Sequence, residues 1–99
     1  MEIHITRGNE ESTLALSGRL DTVTAPKLQE ALIAEIDSAG KVRLDFAELT
    51  YVSSAGLRVL LLGEKSAKAK GAAMSIANVC AEIAEVFEMT GFSGILTIR

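Results

Sequence analysis

Ser53 and Ser54 are the residues whose type and place could do chemistry. They lie in the stretch Leu49-Thr50-Tyr51-Val52-Ser53-Ser54-Ala55-Gly56-Leu57-Arg58-Val59-Leu60, where an apolar strand end runs through two serines and a glycine straight into an apolar helix pattern. A serine at that junction has two uses. Its oxygen can cap the helix by accepting a first-turn N–H. Its hydroxyl can also accept a phosphoryl group. A phosphate at a helix start meets free N–H groups and the positive end of the helix dipole, so it would not unfold the domain. It would place roughly −1.5 to −2 charges on a surface that had been small and neutral. Docking could then be lost through repulsion and desolvation while the fold persists.

Other chemistry is poorly supported. Nucleophilic serine catalysis needs a base within hydrogen-bond reach. The single histidine, His4, falls on the polar phase of the first strand, and Gly-x-Ser-x-Gly is absent. The Gly-x-x-x-x-Gly-Lys-Ser/Thr phosphate loop is also absent. One Cys and one His, without Cys-x-x-Cys, exclude an ordinary zinc site and any internal disulfide. Asp21 and Asp45 could pair as carboxylates, but aspartates at loop and strand ends more often cap or stay solvated. A binding module is favoured over an enzyme, with no metal or cofactor expected.

The elements that must position the serines follow from pattern. Met1 to Thr6 and Ser12 to Ser17 alternate apolar and polar residues around a polar turn, which predicts a β-hairpin. Gly18 to Pro26 reads as a loop entering a helix, with Thr24 as its cap and Pro26 in the first turn. Leu28, Leu32 and Ile36 share one face of that helix, and Gly40 ends it. Val42, Leu44 and Phe46 mark a strand. A helix follows from about Ala55 to Lys70, with Leu57, Leu60 and Leu61 assigned to the core and Gly71 as its stop. Ala73 to Val79 reads as a strand, Ala81 to Thr90 as a helix, and Ile95 to Ile98 as a final strand. The order β-β-α-β-α-β-α-β predicts one α/β domain over residues 1–99, with a mixed sheet, an N-terminal hairpin, parallel core strands and helices mainly on one face.

Bulk composition agrees with a folded domain. Of 99 residues, 48% are hydrophobic and 23% charged, but only 4% are aromatic, so aliphatic side chains and methionine must build the core. The net charge is −3 and the only basic cluster is Lys65, Lys68 and Lys70 near a helix end, so neither nucleic acid nor a membrane is expected as a partner. No apolar run reaches membrane-spanning length and the N-terminus lacks a signal-peptide pattern. The expectation is a reduced, cytoplasmic protein, monomeric when free.

The chain resembles the STAS-domain family, and within it the bacterial anti-sigma factor antagonists. The resemblance rests on Gly18-Arg19-Leu20-Asp21 before the first helix and Val52-Ser53-Ser54-Ala55-Gly56-Leu57 before the second. Glu88-Met89-Thr90-Gly91-Phe92 near the end matches as well, so the whole chain is covered. The resemblance implies that Ser54, two residues before the glycine, is the phosphoacceptor. It implies a partner-binding face built from Asp21, Thr22, Ser53, Ser54, Ala55, Gly56 and Arg58. Ser53 stands where the family often has Asp, which removes a charge and makes Ser53 a competing acceptor or the cap itself. Ala55 stands where Ser or Thr is common. Arg58 could touch a partner or a phosphate, though an exposed helix residue is its plainer role. The implied mechanism is partner switching. The unphosphorylated form binds an anti-sigma factor that is also a serine kinase, releasing a sigma factor. Phosphorylation of Ser54 ends binding, and a metal-dependent serine phosphatase resets the system. The alternative within the family is a regulatory or docking subunit of another signalling or transport complex. A nucleotide-binding protein or enzyme is the third reading, with no phosphate-cradling loop behind it.

Overall fold

The computed structural model describes residues 1–99. Four strands form one mixed sheet in the order β1-β2-β3-β4. They are β1 (Glu2–Arg7), β2 (Ser12–Leu20), β3 (Lys41–Val52) and β4 (Ala73–Ala77). β1 and β2 are the expected antiparallel hairpin, closed by the Gly8 N–H donating to the Glu11 carbonyl at 2.9 Å. β2, β3 and β4 run parallel, joined through α1 (Ala25–Ala39) and α2 (Ser54–Ala69). Helix connections are what parallel neighbours require. α3 (Ala81–Thr90) follows β4.

The core lies between the sheet and the helices. Leu14, Leu44 and Ile76 form one cross-strand row, and none of the three is accessible to solvent. The next row, Thr13, Arg43 and Ser75, points to the opposite face because strand side chains alternate. α1 buries Leu28, Leu32 and Ile36, the stripe predicted from their four-residue spacing. α2 buries Leu57 and Leu60, whereas Leu61 is only half-buried. The tilted Phe46–Phe87 ring pair, 6.5 Å between centroids, ties α3 to β3. Gly63 lets α1 approach α2. A Cβ there would lie 2.5 Å from Leu32 Cδ2 and 3.0 Å from Met74 Sδ.

Several boundaries differ from the sequence expectation. β2 continues to Leu20, beyond Ser17, because Gly18 takes a positive φ beside a register shift and the ladder then resumes on β3. β4 stops at Ala77 rather than Val79, since Asn78 adopts a left-handed φ of 59°. The final strand over Ile95–Ile98 is reduced to one bridge between Ile76 and Ile98. A 3₁₀ turn at Phe92–Gly94 occupies the chain just before it, and Leu96 is buried in the core, so only two hydrogen bonds with Ile76 form.

Candidate functional site

β2 and β3 end together, with Leu20 beside Val52. The Ser53 N–H donates to the Leu20 carbonyl at 2.8 Å, which fixes where the chain leaves the sheet. Gly56 then packs against the end of β2. A Cβ there would lie 2.7 Å from Leu20 Cγ and 3.1 Å from the Leu20 carbonyl oxygen. Glycine is therefore required by close approach, because its own backbone is helical.

The two serines divide the roles that either could have taken. Ser53 is extended, and its Oγ accepts the Gly56 N–H at 3.2 Å, so Ser53 is the N-cap of α2. Its carbonyl accepts the Leu57 N–H at 2.9 Å. Ser54 is the first residue of the helix. It is exposed, and its hydroxyl has no hydrogen-bond partner. The Ser54 and Ala55 N–H groups have no acceptor in the chain, as expected for the first turn of a helix. No histidine or carboxylate is hydrogen-bonded to the Ser54 hydroxyl.

The neighbouring β2–α1 loop is rigidified by its own polar groups. Asp21 Oδ1 accepts the Val23 N–H at 3.0 Å and the Thr24 N–H at 3.1 Å. In return, Thr24 Oγ1 accepts the Asp21 N–H at 2.9 Å and donates to the Arg19 carbonyl at 2.8 Å. This reciprocal arrangement resembles a capping box, with Asp21 as the capping carboxylate. Thr24 was expected to cap α1 with its own side chain, and it does not, because its hydroxyl is turned back onto Asp21 and Arg19. The Thr24 N–H holds the Asp21 carboxyl below its ordinary pKa against the opposing effect of burial, helped by the Thr24 hydroxyl, the Val23 N–H and the Arg19 charge. Arg19 also lies 4.0 Å from the centroid of the Tyr51 ring, a cation–π contact at the strand ends.

The structure brings three of the predicted residues to one groove, and Asp21, Ser53, Ser54 and Gly56 lie outside its lining. Thr22, Ala55 and Arg58 line a depression of about 450 Å³ between α1 and α2. Ser54 does not line it but adjoins it through Ala55, the next residue. Asp21 is joined to this end of α2 through Leu20, whereas Gly56 is buried beneath it. Sequence reasoning missed the rest of the groove, including Pro26, Gln29, Leu62 and Lys65. Their shared stripes were the available signal: Thr22, Ala25, Pro26 and Gln29 on one helix entry, and Ala55, Arg58, Leu62 and Lys65 on the other. It also missed Val23, which is 85% exposed at the tip of the Asp21 loop. His4, as expected, is exposed on the hairpin beside Glu2.

The fold has clear relatives. The family model described as "Mlab, STAS domain" matches residues 3–97. An anti-sigma-B factor antagonist of Listeria monocytogenes is 29% identical over 94 residues, covering 94% of this chain and 82% of that protein. The crystal structure of an anti-sigma factor antagonist from Mycobacterium paratuberculosis superposes with a TM-score of 0.88 at 21% identity, over 99% of this chain and 84% of the other. The Bacillus cell fate determinant SpoIIAA in its phosphorylated form gives a TM-score of 0.77 at 16% identity, over 99% and 91% of the two chains. No helix here is long and apolar enough to cross a membrane. With the family model spanning nearly its whole length, the chain belongs to the STAS-domain family.

Proposed function

We propose that this protein is an anti-sigma factor antagonist that works by partner switching, with Ser54 as the phosphoacceptor. The observation that carries the reading is the division of labour at the helix start. Ser53 supplies the cap, which leaves the Ser54 hydroxyl exposed and uncommitted. A kinase can therefore modify Ser54 without dismantling the helix. Unpaired N–H groups at Ser54 and Ala55 then favour the added negative charge.

In this reading the unphosphorylated protein binds an anti-sigma factor that is also an ATP-dependent serine kinase, and a sigma factor is released. Phosphorylation ends the complex, and a metal-dependent serine phosphatase restores it. The protein is a ligand and a substrate in the cytoplasm, not a catalyst. The names of its relatives support this assignment. The phosphorylated form of SpoIIAA shows that a protein of this fold accepts the modification.

The test is phosphosite mapping by intact mass and fragmentation, after incubation with ATP and the purified anti-sigma-type kinase from the same genome. A single phosphate on Ser54 is expected. A phosphate on Ser53 would move the switch onto the capping residue. No phosphate, with a kinase active on another substrate, would make the domain a constitutive docking subunit of some other complex.

A further inference from the structure

The groove beside Ser54 has a chemical character of its own. Ala55, Arg58, Leu62 and Lys65 recur at the three- and four-residue spacing of one helical stripe and face Ala25 and Pro26 of α1. Its floor is apolar, and no aspartate or glutamate lines it. Arg58 and Lys65 are exposed and enter no ion pair. Arg7, Arg19, Lys70 and Arg99 pair with carboxylates, and Lys27, Lys41, Arg43 and Lys68 enter no ion pair, like Arg58 and Lys65. The distinction of Arg58 and Lys65 is that both line one apolar depression without a carboxylate in its wall. Two free cations over an apolar floor are complementary to a segment that presents an apolar side chain flanked by carboxylates.

We propose that the α1–α2 groove docks an acidic amphipathic segment of the kinase partner, and that phosphorylation of Ser54 ends docking by capturing Arg58. This rests on the reading of Ser54 as the phosphoacceptor. Arg58 follows Ser54 by four residues, one helical turn, so its guanidinium is within reach of a phosphoryl group on Ser54. A phosphate–guanidinium pair is charge-assisted and can be bidentate. Capture removes one of the two cations that receive the acidic segment. It also leaves net negative charge beside the groove. Both changes act against the same carboxylates, so one covalent event reverses the electrostatic match without moving the fold.

The occupant could instead be a second copy of this chain. α3 carries Glu82, Glu85 and Glu88 with Met89 78% exposed, which is a segment of the same chemical type. The kinase is favoured because the groove adjoins the residue that the kinase must reach.

The decisive experiment measures affinity of the purified kinase for wild type, Arg58→Glu, Lys65→Glu and Lys68→Glu at low and high salt, with Ser54 phosphorylation followed in each. Lys68 lies on the same helix outside the groove, so its reversal carries the same charge change. Arg58→Glu and Lys65→Glu are expected to weaken binding about tenfold or more, and Lys68→Glu by less than about twofold. Wild-type affinity should fall with salt more steeply than that of either groove variant. Arg58→Gln should narrow the affinity gap between unphosphorylated and phosphorylated protein. Unchanged affinity in both groove variants, with Ser54 still phosphorylated, would overturn the groove while leaving the switch standing. A kinase that binds but never modifies Ser54 would remove the switch and this inference together. Concentration-dependent dimers abolished by Arg58→Glu would assign the groove to a second copy and overturn the proposal.

Discussion

The two ends of β2 treat their polar groups in opposite ways. At its start, Ser12, Glu35 and Arg7 satisfy one another. Glu35 is buried, accepts the Ser12 hydroxyl at 2.8 Å, and takes Arg7 Nε and Nη2 at 3.2 and 2.9 Å. This cluster ties the hairpin to the last turns of α1. At its end, beside Leu20, the Asp21–Thr24 loop closes on itself, but the Ser54 hydroxyl, two first-turn N–H groups and Arg58 have no partners in the chain. Saturated polar groups add to stability, while uncommitted ones at the surface cost little and remain available. The difference separates the end that holds the fold from the end proposed to meet a partner.

Removing the uncommitted hydroxyl should give the largest functional effect. Ser54→Ala is expected to lose phosphorylation altogether, keep kinase binding, and leave stability within about 0.5 kcal/mol of wild type, since Ser54 caps nothing. Phosphosite mapping and thermal unfolding on the same sample check both halves. Ser54→Asp should fold normally and bind poorly. Tight binding by Ser54→Asp would count against electrostatic rejection.

The opposite end should respond in stability and not in signalling. Glu35→Ala removes an acceptor shared by Ser12 and Arg7, and is expected to cost about 1.5–3 kcal/mol, the range for hydrogen bonds to a charged group. Denaturant titration reads the loss. Phosphorylation of Ser54 in the folded variant should proceed as in wild type. A changed phosphorylation rate would mean that the two ends are coupled.

Ser53→Ala tests the boundary between the two behaviours, because Ser53 is a saturated group inside the free end. Loss of its cap should cost about 0.5–2 kcal/mol, while Ser54 is still phosphorylated. If Ser53→Ala is neutral and Ser54→Ala is not, the capping assignment is reversed.

Much of this arrangement was legible in the sequence. Alternation gave the hairpin, and the spacing of Leu28, Leu32 and Ile36 gave the buried stripe of α1. The serine junction stood out because hydroxyls, a glycine and an apolar run meet there. Which serine caps was not legible, since either residue type serves and the answer depends on the hydrogen bond from Gly56 to Ser53. The reach of β2 to Leu20 was hidden because Gly18 and Arg19 look like loop residues, and only pairing with β3 makes them a strand. Arg7 and Glu35 lie 28 positions apart, so no local pattern could have joined them. The groove escaped for the same reason: each helix shows half of it.

Acid titration should give the smallest effect and bears first on the saturated end. The Arg7 guanidinium, above all through its hydrogen bonds, holds the Glu35 carboxyl below its ordinary value of 4.5, with the Ser12 hydroxyl assisting and burial opposing. A carboxyl depressed in the folded state binds its proton less readily there than in the unfolded chain. Its contribution is therefore complete above the unfolded value, and it is lost as pH falls through the folded one. Asp21 and Asp45 are also depressed, Asp45 chiefly by the Asn78 side-chain amide, but from an ordinary value of 3.8, so their losses begin at lower pH. Unfolding free energy measured from neutral pH downward should thus begin to decline near the Glu35 value in wild type. In Glu35→Gln, which cannot titrate, the early part of that decline should be missing while the later part remains. Parallel curves for the two proteins would show that the Arg7–Glu35–Ser12 cluster does not set the acid limit of the fold, and would leave Asp21, in the loop beside Ser54, and Asp45 to set it.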